Sequence, residues 1–268
     1  MQGKLEILDG FYADGDLAGA ERRLDEWIRE AQKKGEKDVL LTLYNEKEGL
    51  YRVTGRAEEA CRISDESLLL VQQMGLTGTV HHATTILNAA TANRAAGNLQ
   101  RALELYLQAR DLYLDLPEQP DKFYYLATLN NNISQVYQGL GDFRKAEEYL
   151  RTALELIGEI DAPGEKAVTG ANLAQVLLRL GNLAEAESLS KSALAYYESP
   201  AGKGDNHYPS ALNARGEVCF YAGKYPEAIS FFRKALEISL RVFGENPETA
   251  CIRSNLEAAE RAAGGMKV

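Results

Sequence analysis

Apolar positions along the chain recur at helical spacing, and polar breaks interrupt them at a nearly constant interval. Residues 130–156, NNNISQVYQGLGDFRKAEEYLRTALEL, carry the pattern most clearly. An apolar-periodic run meets a glycine-centred break, and a second periodic run follows, which predicts a helix, a tight turn and an antiparallel helix. A glycine with alanine five positions beyond it recurs in register at Gly15/Ala20, Gly55/Ala60, Gly97/Ala102, Gly141/Ala146, Gly181/Ala186 and Gly223/Ala228. Successive glycines are 40, 42, 44, 40 and 42 residues apart, and Gly264 follows 41 residues after Gly223. A period of roughly 20–50 residues marks a stacked repeat rather than a compact lobe.

Each element of the pattern has a physical reason. A helix ends readily at a left-handed residue, which is cheap only without a Cβ. The alanine sits where the two antiparallel helices cross and a larger side chain would push them apart. A second small residue falls twelve after the glycine at Ser67, Ala109, Ala153, Ala193 and Ala235, with Trp27 in that place in the first unit. Between them Leu103, Tyr106, Leu107, Tyr149, Leu150, Ile229 and Phe232 supply the apolar stripe.

Three segments follow. Residues 1–38 form a degenerate N-terminal capping repeat, because a terminal repeat must turn a polar face to water. Residues 39–246 form five regular repeats. Residues 247–268 form a C-terminal capping helix, opened by Pro247 in its first turn, with a tail frayed from Gly264 onward. A helix stop and turn are expected at Pro117, Glu118, Gln119, Pro120 and Asp121. The stretch SPAGKGDN, 199–206, reads as the most flexible loop.

The Gly-x-x-x-x-Ala spacing, with Tyr51 and Tyr137 four residues before the glycine and Gly216 seven before it, resembles the tetratricopeptide repeat (TPR). The period near 42 is longer than the usual ~34. It looks like the extended-helix variant of kinesin light chains and many bacterial proteins. Asn93, Leu177 and Cys219 depart from the family's tyrosine. The resemblance covers about residues 7–264. It implies an all-α fold, an α-α superhelix (TPR solenoid) of six helix pairs plus a C-terminal capping helix, whose first helices line a concave face. The two-carboxylate clamp of chaperone-binding members needs a basic residue ten before the glycine and Asn six before it. Here Asn45 with Gly49, and Leu87 with Thr91, stand at those spacings, so chaperone tails are poor candidates.

Asparagine is mediocre inside helices, yet it stands nine or ten residues before the repeat glycine at Asn45, Asn88, Asn131, Asn132, Asn172, Asn213 and Asn255. Chance at ordinary usage would place on the order of one there. Two readings remain open. The amides hydrogen-bond between adjacent first helices and fix the stacking. Alternatively they face the groove and grip a peptide backbone, since an amide offers donor and acceptor together; asparagines of kinesin-light-chain-like members grip a peptide in this way. Positions nine and ten differ by about 100° of helical phase, so both readings can hold for different members. The same predicted face continues through Arg52, Thr91, Arg94, Gln135, Gln138, Gln175, Arg179 and Glu217, with Thr84 and Thr128 beside them. Counted with Glu46 it is mildly basic, three Arg against two Glu, which suits either an acidic ligand residue near Arg52 and Arg94 or a solvated face with scattered charges.

Composition narrows the function. A net charge of -9 argues against nonspecific nucleic-acid binding. No apolar run approaches the ~20 residues of a membrane span, and the N-terminus lacks a signal-peptide layout, so the cytoplasm is expected. Cys61, Cys219 and Cys251 show no C-x-x-C spacing and are expected to pack as small hydrophobes. His81 and His82 are adjacent, so they diverge on a helix and suit entry-loop packing; His207 follows the 199–206 loop and is placed to lip the groove. Phosphate-loop, H-E-x-x-H and G-x-S-x-G motifs do not occur. The expectation is therefore a non-enzymatic, cofactor-free scaffold that binds a protein or peptide. The alternatives are a self-assembling, homo-oligomeric scaffold, with Tyr196, Tyr197, Tyr225 and Phe231 as an exposed patch, or a peptide-responsive regulator.

Overall fold

The computed structural model describes residues 1–117 and 121–265, in two compact units, Met1–Glu118 and Gln119–Val268. The first holds α1 (Gln2–Ala13), α2 (Leu17–Lys34), α3 (Lys37–Val53), α4 (Ala57–Gln73), α5 (Val80–Ala95) and α6 (Leu99–Asp115). The second holds α7 (Lys122–Gly139), α8 (Phe143–Gly158), α9 (Pro163–Arg179), α10 (Leu183–Glu198), α11 (Tyr208–Tyr221), α12 (Tyr225–Phe243) and α13 (Pro247–Gly265). Among the described residues there is no strand. Consecutive helices pack as hairpins, and within each unit the odd-numbered helices also meet one another, α3 with α5, and α7, α11 and α13 with their neighbours of the same kind.

The repeat glycines make the turns. All six have φ between 70° and 81°. In each, the glycine N–H donates to the carbonyl three back and the next N–H donates to the carbonyl five before it, as Gly141 does to Gln138 (3.0 Å) and Asp142 to Tyr137 (2.9 Å). This is the Schellman closure of a helix end. The residue after the glycine is also the N-cap of the next helix. Asp16, Asp142 and Asn182 accept there from the backbone N–H of Gly19, Lys145 and Glu185. One residue thus serves two helix ends, and the turn has no spare length.

The predicted crossing positions are fully enclosed. Ala20, Ala60, Ala102, Ala146, Ala186 and Ala228 have no exposed surface, and Ser67, Ala109, Ala153, Ala193 and Ala235 are buried too. Trp27 packs with Leu24, Leu41, Tyr44 and Leu50 in the core of the first unit. In the second, Leu150, Leu173, Leu177 and Val218 share one cluster, and Ile252 and Ala259 of α13 pack against Leu212 and Phe232 respectively. Gly216 has a reason of its own: a Cβ there would stand 2.5 Å from the Phe232 ring.

Gly264 and Gly265 belong to α13 rather than to a frayed tail, while 266–268 lie outside the described residues. α6 stops at Asp115, with Leu116 extended; of the expected stop, Glu118, Gln119 and Pro120 lie outside the described residues. In the 199–206 loop Gly202 is buried and its N–H donates to the Ser199 carbonyl (3.2 Å). The aromatic patch does not exist: Tyr197 is buried, and Tyr196, Tyr225 and Phe231 are half-buried. The first two rings meet edge-on with centroids 5.2 Å apart, and Phe231 packs beside Phe232. Apolar contact within the hairpins covers what the sequence pattern left open.

Candidate functional site

The second unit contains a polar groove of about 610 Å³ that runs along α7, α9, α11 and the start of α13. Eight of the sequence-predicted residues line it: Thr128, Asn131, Asn132, Gln135, Gln138, Asn172, Gln175 and Asn213. Helical spacing brings them there, because residues three and four apart share a face. Arg179 and Glu217 belong to the same unit but border a separate, smaller recess beside Phe220 and Tyr221. Asn45, Arg52, Asn88, Thr91 and Arg94 lie on α3 and α5 of the first unit.

The asparagines divide into two populations. Asn88 Nδ2 reaches Asn45 Oδ1 at 3.4 Å, Asn172 Nδ2 donates to Asn131 Oδ1 at 3.2 Å, and Asn255 Nδ2 donates to Asn213 Oδ1 at 3.0 Å. Every rung joins a position-ten asparagine to the position-nine asparagine of the next odd-numbered helix. The rungs are anchored further. Asn131 Nδ2 donates to Thr169 Oγ1 (2.8 Å), and Glu217 Oε1 accepts from Asn213, Gln175 and Asn255 at 2.9, 3.1 and 3.1 Å. Burial nevertheless pushes the Glu217 carboxyl up, against the pull of those donors and of Arg179. Asn132 stands apart and, with Gln135 and Gln138, lines the groove with a side-chain amide that makes no hydrogen bond among the described residues. Their amides are open to a ligand; those of the rungs are largely spent on the scaffold.

The first-unit residues are mostly committed. Thr91 Oγ1 donates to the Leu87 carbonyl (2.9 Å) and accepts from the Tyr106 hydroxyl (3.0 Å). Arg52 Nε stands 3.3 Å from Glu48 Oε1. That carboxylate is 1% exposed, and neither oxygen has a hydrogen-bond partner among the described residues. The nearby Ser64 hydroxyl spends its hydrogen on the Ala60 carbonyl. Burial lifts the Glu48 carboxyl to about 7, with Arg52 opposing. Arg94 Nε is likewise buried without a partner.

The charge of the second-unit groove departs from expectation. In place of a mildly basic surface it carries Glu165 and Glu248, with His207 at its edge. Arg179 turns to the Tyr221 hydroxyl (3.0 Å) instead of the groove. Glu165 and Glu248 occupy the first turns of α9 and α13, where acids are ordinary, so nothing in the sequence marked them as lining residues. Tyr124 and Tyr197 also line the groove; sequence reasoning places Tyr197 in an exposed aromatic patch and gives Tyr124 no role. His82 does pack its entry loop, accepting from the Gly78 N–H (3.2 Å). Cys251 is exposed and borders the groove, contrary to the expected packing role. Burial pushes the Cys61 and Cys219 thiols up, which disfavours the reactive thiolate. Among the described residues no His/Cys/Asp/Glu group is placed to hold a metal, and no helix is long and apolar enough to cross a membrane.

The tetratricopeptide repeat family model matches residues 125–199 and 208–267. Protein KINESIN LIGHT CHAIN-RELATED 2 of Arabidopsis thaliana is 28% identical over 171 residues, 62% of this chain and 24% of the plant protein. KINESIN LIGHT CHAIN-RELATED 3 of the same plant is 27% identical over 139 residues, 50% of this chain and 21% of its own length. The match thus spans under a quarter of either plant relative. Two solved structures share the fold at low identity. BtubC (BKLC) from P. vanneervenii superposes with a TM-score of 0.63 at 20% identity, covering 87% of this chain and 93% of that one. NprR in complex with its cognate peptide NprX superposes at 0.72 and 16% identity, covering 94% and 71%.

Proposed function

Because the chain belongs to the tetratricopeptide repeat family, with repeats like those of kinesin light chains, we propose that it is a non-catalytic scaffold that holds an extended peptide or partner tail along its odd-numbered helices. The fold class is the all-α superhelical repeat, generally a protein–protein interaction scaffold. The observation that carries the finer reading is the set of open amides, Asn132, Gln135 and Gln138, along one wall of a 610 Å³ groove. An unpaired amide offers both donor and acceptor, the complement of a peptide unit whatever its side chain. Asn131, Asn172, Gln175 and Asn213 hold the wall in register and present their remaining lone pairs and N–H groups. NprR, a neighbour in fold, was solved with a peptide, which supports a peptide as the occupant here. In the first unit, Asn45, Asn88 and Thr91 are spent internally, and Arg52 and Arg94 are the groups of that unit that would meet an acidic ligand residue.

The test is a selection of random dodecapeptides displayed on phage against the immobilised chain. Selected peptides are expected to bind wild type and to lose at least about tenfold in affinity, roughly 1.4 kcal/mol, on the variant carrying Asn132→Ala, Gln135→Ala and Gln138→Ala. The variant should melt with the wild type, because its substituted amides have no partner to lose. Peptides that bind both proteins equally would move the site elsewhere.

A further inference from the structure

The groove of the second unit combines open amides with an unbalanced charge. Its lining includes the carboxylates Glu165 and Glu248 and no lysine or arginine. Neither carboxylate has a cationic partner among the described residues. Glu248 accepts from the Ser210 hydroxyl, and the charge of Glu165 is the main cause that pushes the Tyr124 phenol up. Several other carboxylates of the unit do have a cationic partner: Glu147 and Glu185 with Arg151, Glu187 with Lys191, Glu198 with Lys234. The N-terminal ends of α9 and α13 account for acids at these positions, but not for two of them opening into one cavity.

A second, independent observation points to a ligand. Tyr197 lines the same groove, is 3% exposed, and its hydroxyl has no hydrogen-bond partner among the described residues. A buried hydroxyl left unpaired costs about 1–3 kcal/mol, so native proteins rarely keep one without a use. It can donate or accept. Burial above all, then the charge of Asp205 and, least, that of Glu165, pushes the Tyr197 phenol up.

We propose that this groove takes a basic side chain, lysine or arginine, of an extended partner segment, held between Glu165 and Glu248 with the Tyr197 hydroxyl as a further polar contact. The inference rests on the peptide-binding reading above and names the chemistry of its occupant. The open amides of Asn132, Gln135 and Gln138 hold the backbone of the segment, and the carboxylates choose the residue. An ammonium or guanidinium group supplies several donors and no acceptor, which matches carboxylates and the acceptor side of a phenol. An acidic segment would meet like charge with no cation in the lining to offset it.

The experiment uses four pools of acetylated, amidated nonapeptides, randomised except for a central Arg, Lys, Leu or Glu. Binding to the full chain is read by fluorescence anisotropy in low and high salt. The Arg and Lys pools are expected to bind at least about tenfold tighter than the Glu pool, with the gap narrowing in high salt as exposed charges are screened. The double variant Glu165→Gln, Glu248→Gln should lose the preference while keeping its melting temperature. The charge-reversed pair Glu165→Lys, Glu248→Lys should shift preference to the Glu pool. Equal binding of all pools overturns the inference and leaves a sequence-blind peptide groove. A Glu-pool preference, or a basic preference that survives in both variants, overturns it as well. If no pool binds, the peptide reading itself falls and takes this inference with it.

Discussion

Replacing Glu48 removes a titrating group from the interior of the first unit, and the effect on stability can be worked out in advance. The wild-type carboxyl is 1% exposed, lacks hydrogen-bond partners among the described residues, and titrates at about 7 in place of its ordinary 4.5. The folded protein therefore keeps the Glu48 proton while the unfolded chain releases it. Between about pH 4.5 and 7 the native state binds more protons, so stability falls as pH rises through that window. The span corresponds to about 3 kcal/mol, the cost of ionising Glu48 in place after Arg52 has given what it can. The Glu48→Gln variant is shaped alike and does not titrate. Its stability relative to wild type should improve by about 3 kcal/mol between pH 4.5 and pH 8, whatever fixed offset the buried amide introduces. The chain has one tryptophan, Trp27, and it belongs to the same core cluster as Leu50 and Tyr51. Urea unfolding followed by its fluorescence at several pH values therefore reports this unit directly. Wild type and variant curves that stay parallel from pH 4.5 to 8 would refute the argument, and would mean that water or a local rearrangement solvates the carboxylate.

Other substitutions separate the parts of the design. Gly141→Ala forces a Cβ into a residue at φ 79° and should cost about 1–2 kcal/mol in denaturant titration; a neutral result would mean that the turn relaxes to another closure. Phe232→Ala removes a ring that is 1% exposed and should cost about 3–5 kcal/mol, whereas Gly216→Ala, which drives a methyl into that ring, should cost about 1–3 kcal/mol by overpacking. Asn131→Ala leaves the Asn172 amide without its acceptor and should cost about 1–3 kcal/mol, while the adjacent Asn132→Ala should stay within about 0.5 kcal/mol. Equal losses from the two asparagines, read by thermal melting, would erase the distinction between rung and open amides.

The hairpins were legible because single residues carry their physics. A left-handed turn needs a glycine and a close crossing needs an alanine, so Gly141 and Ala146 announce both without knowledge of their partners. The asparagine row was legible as a row, but its two phases did not sort the fates of its members, since positions nine and ten meet in the same rungs. Which amide meets which depends on pairs 41 to 43 residues apart, and no local pattern records that. Charge was harder still. Glu48 lies in the run NEKE among solvated neighbours, and nothing but the packing of α3 distinguishes it from Glu46. Glu165 and Glu248 look like ordinary first-turn acids, and Tyr197 like half of an exposed aromatic pair. Their roles come from the cavity between helices, which exists only after the hairpins stack.

The amide rungs join α3 to α5, α7 to α9 and α11 to α13, always from a position-ten residue to a position-nine residue. Odd-numbered helices therefore alternate between two kinds, and the grammar of the chain has a parity that its glycine spacing hides. Copying or deleting a single hairpin would set two helices of one kind side by side, with their asparagines a hundred degrees out of phase. Copying four helices at a time would keep every rung. Lengthened or shortened versions of this chain should accordingly be built in steps of two repeats, and an odd step should lose a rung at the junction even when every glycine and alanine is in its place.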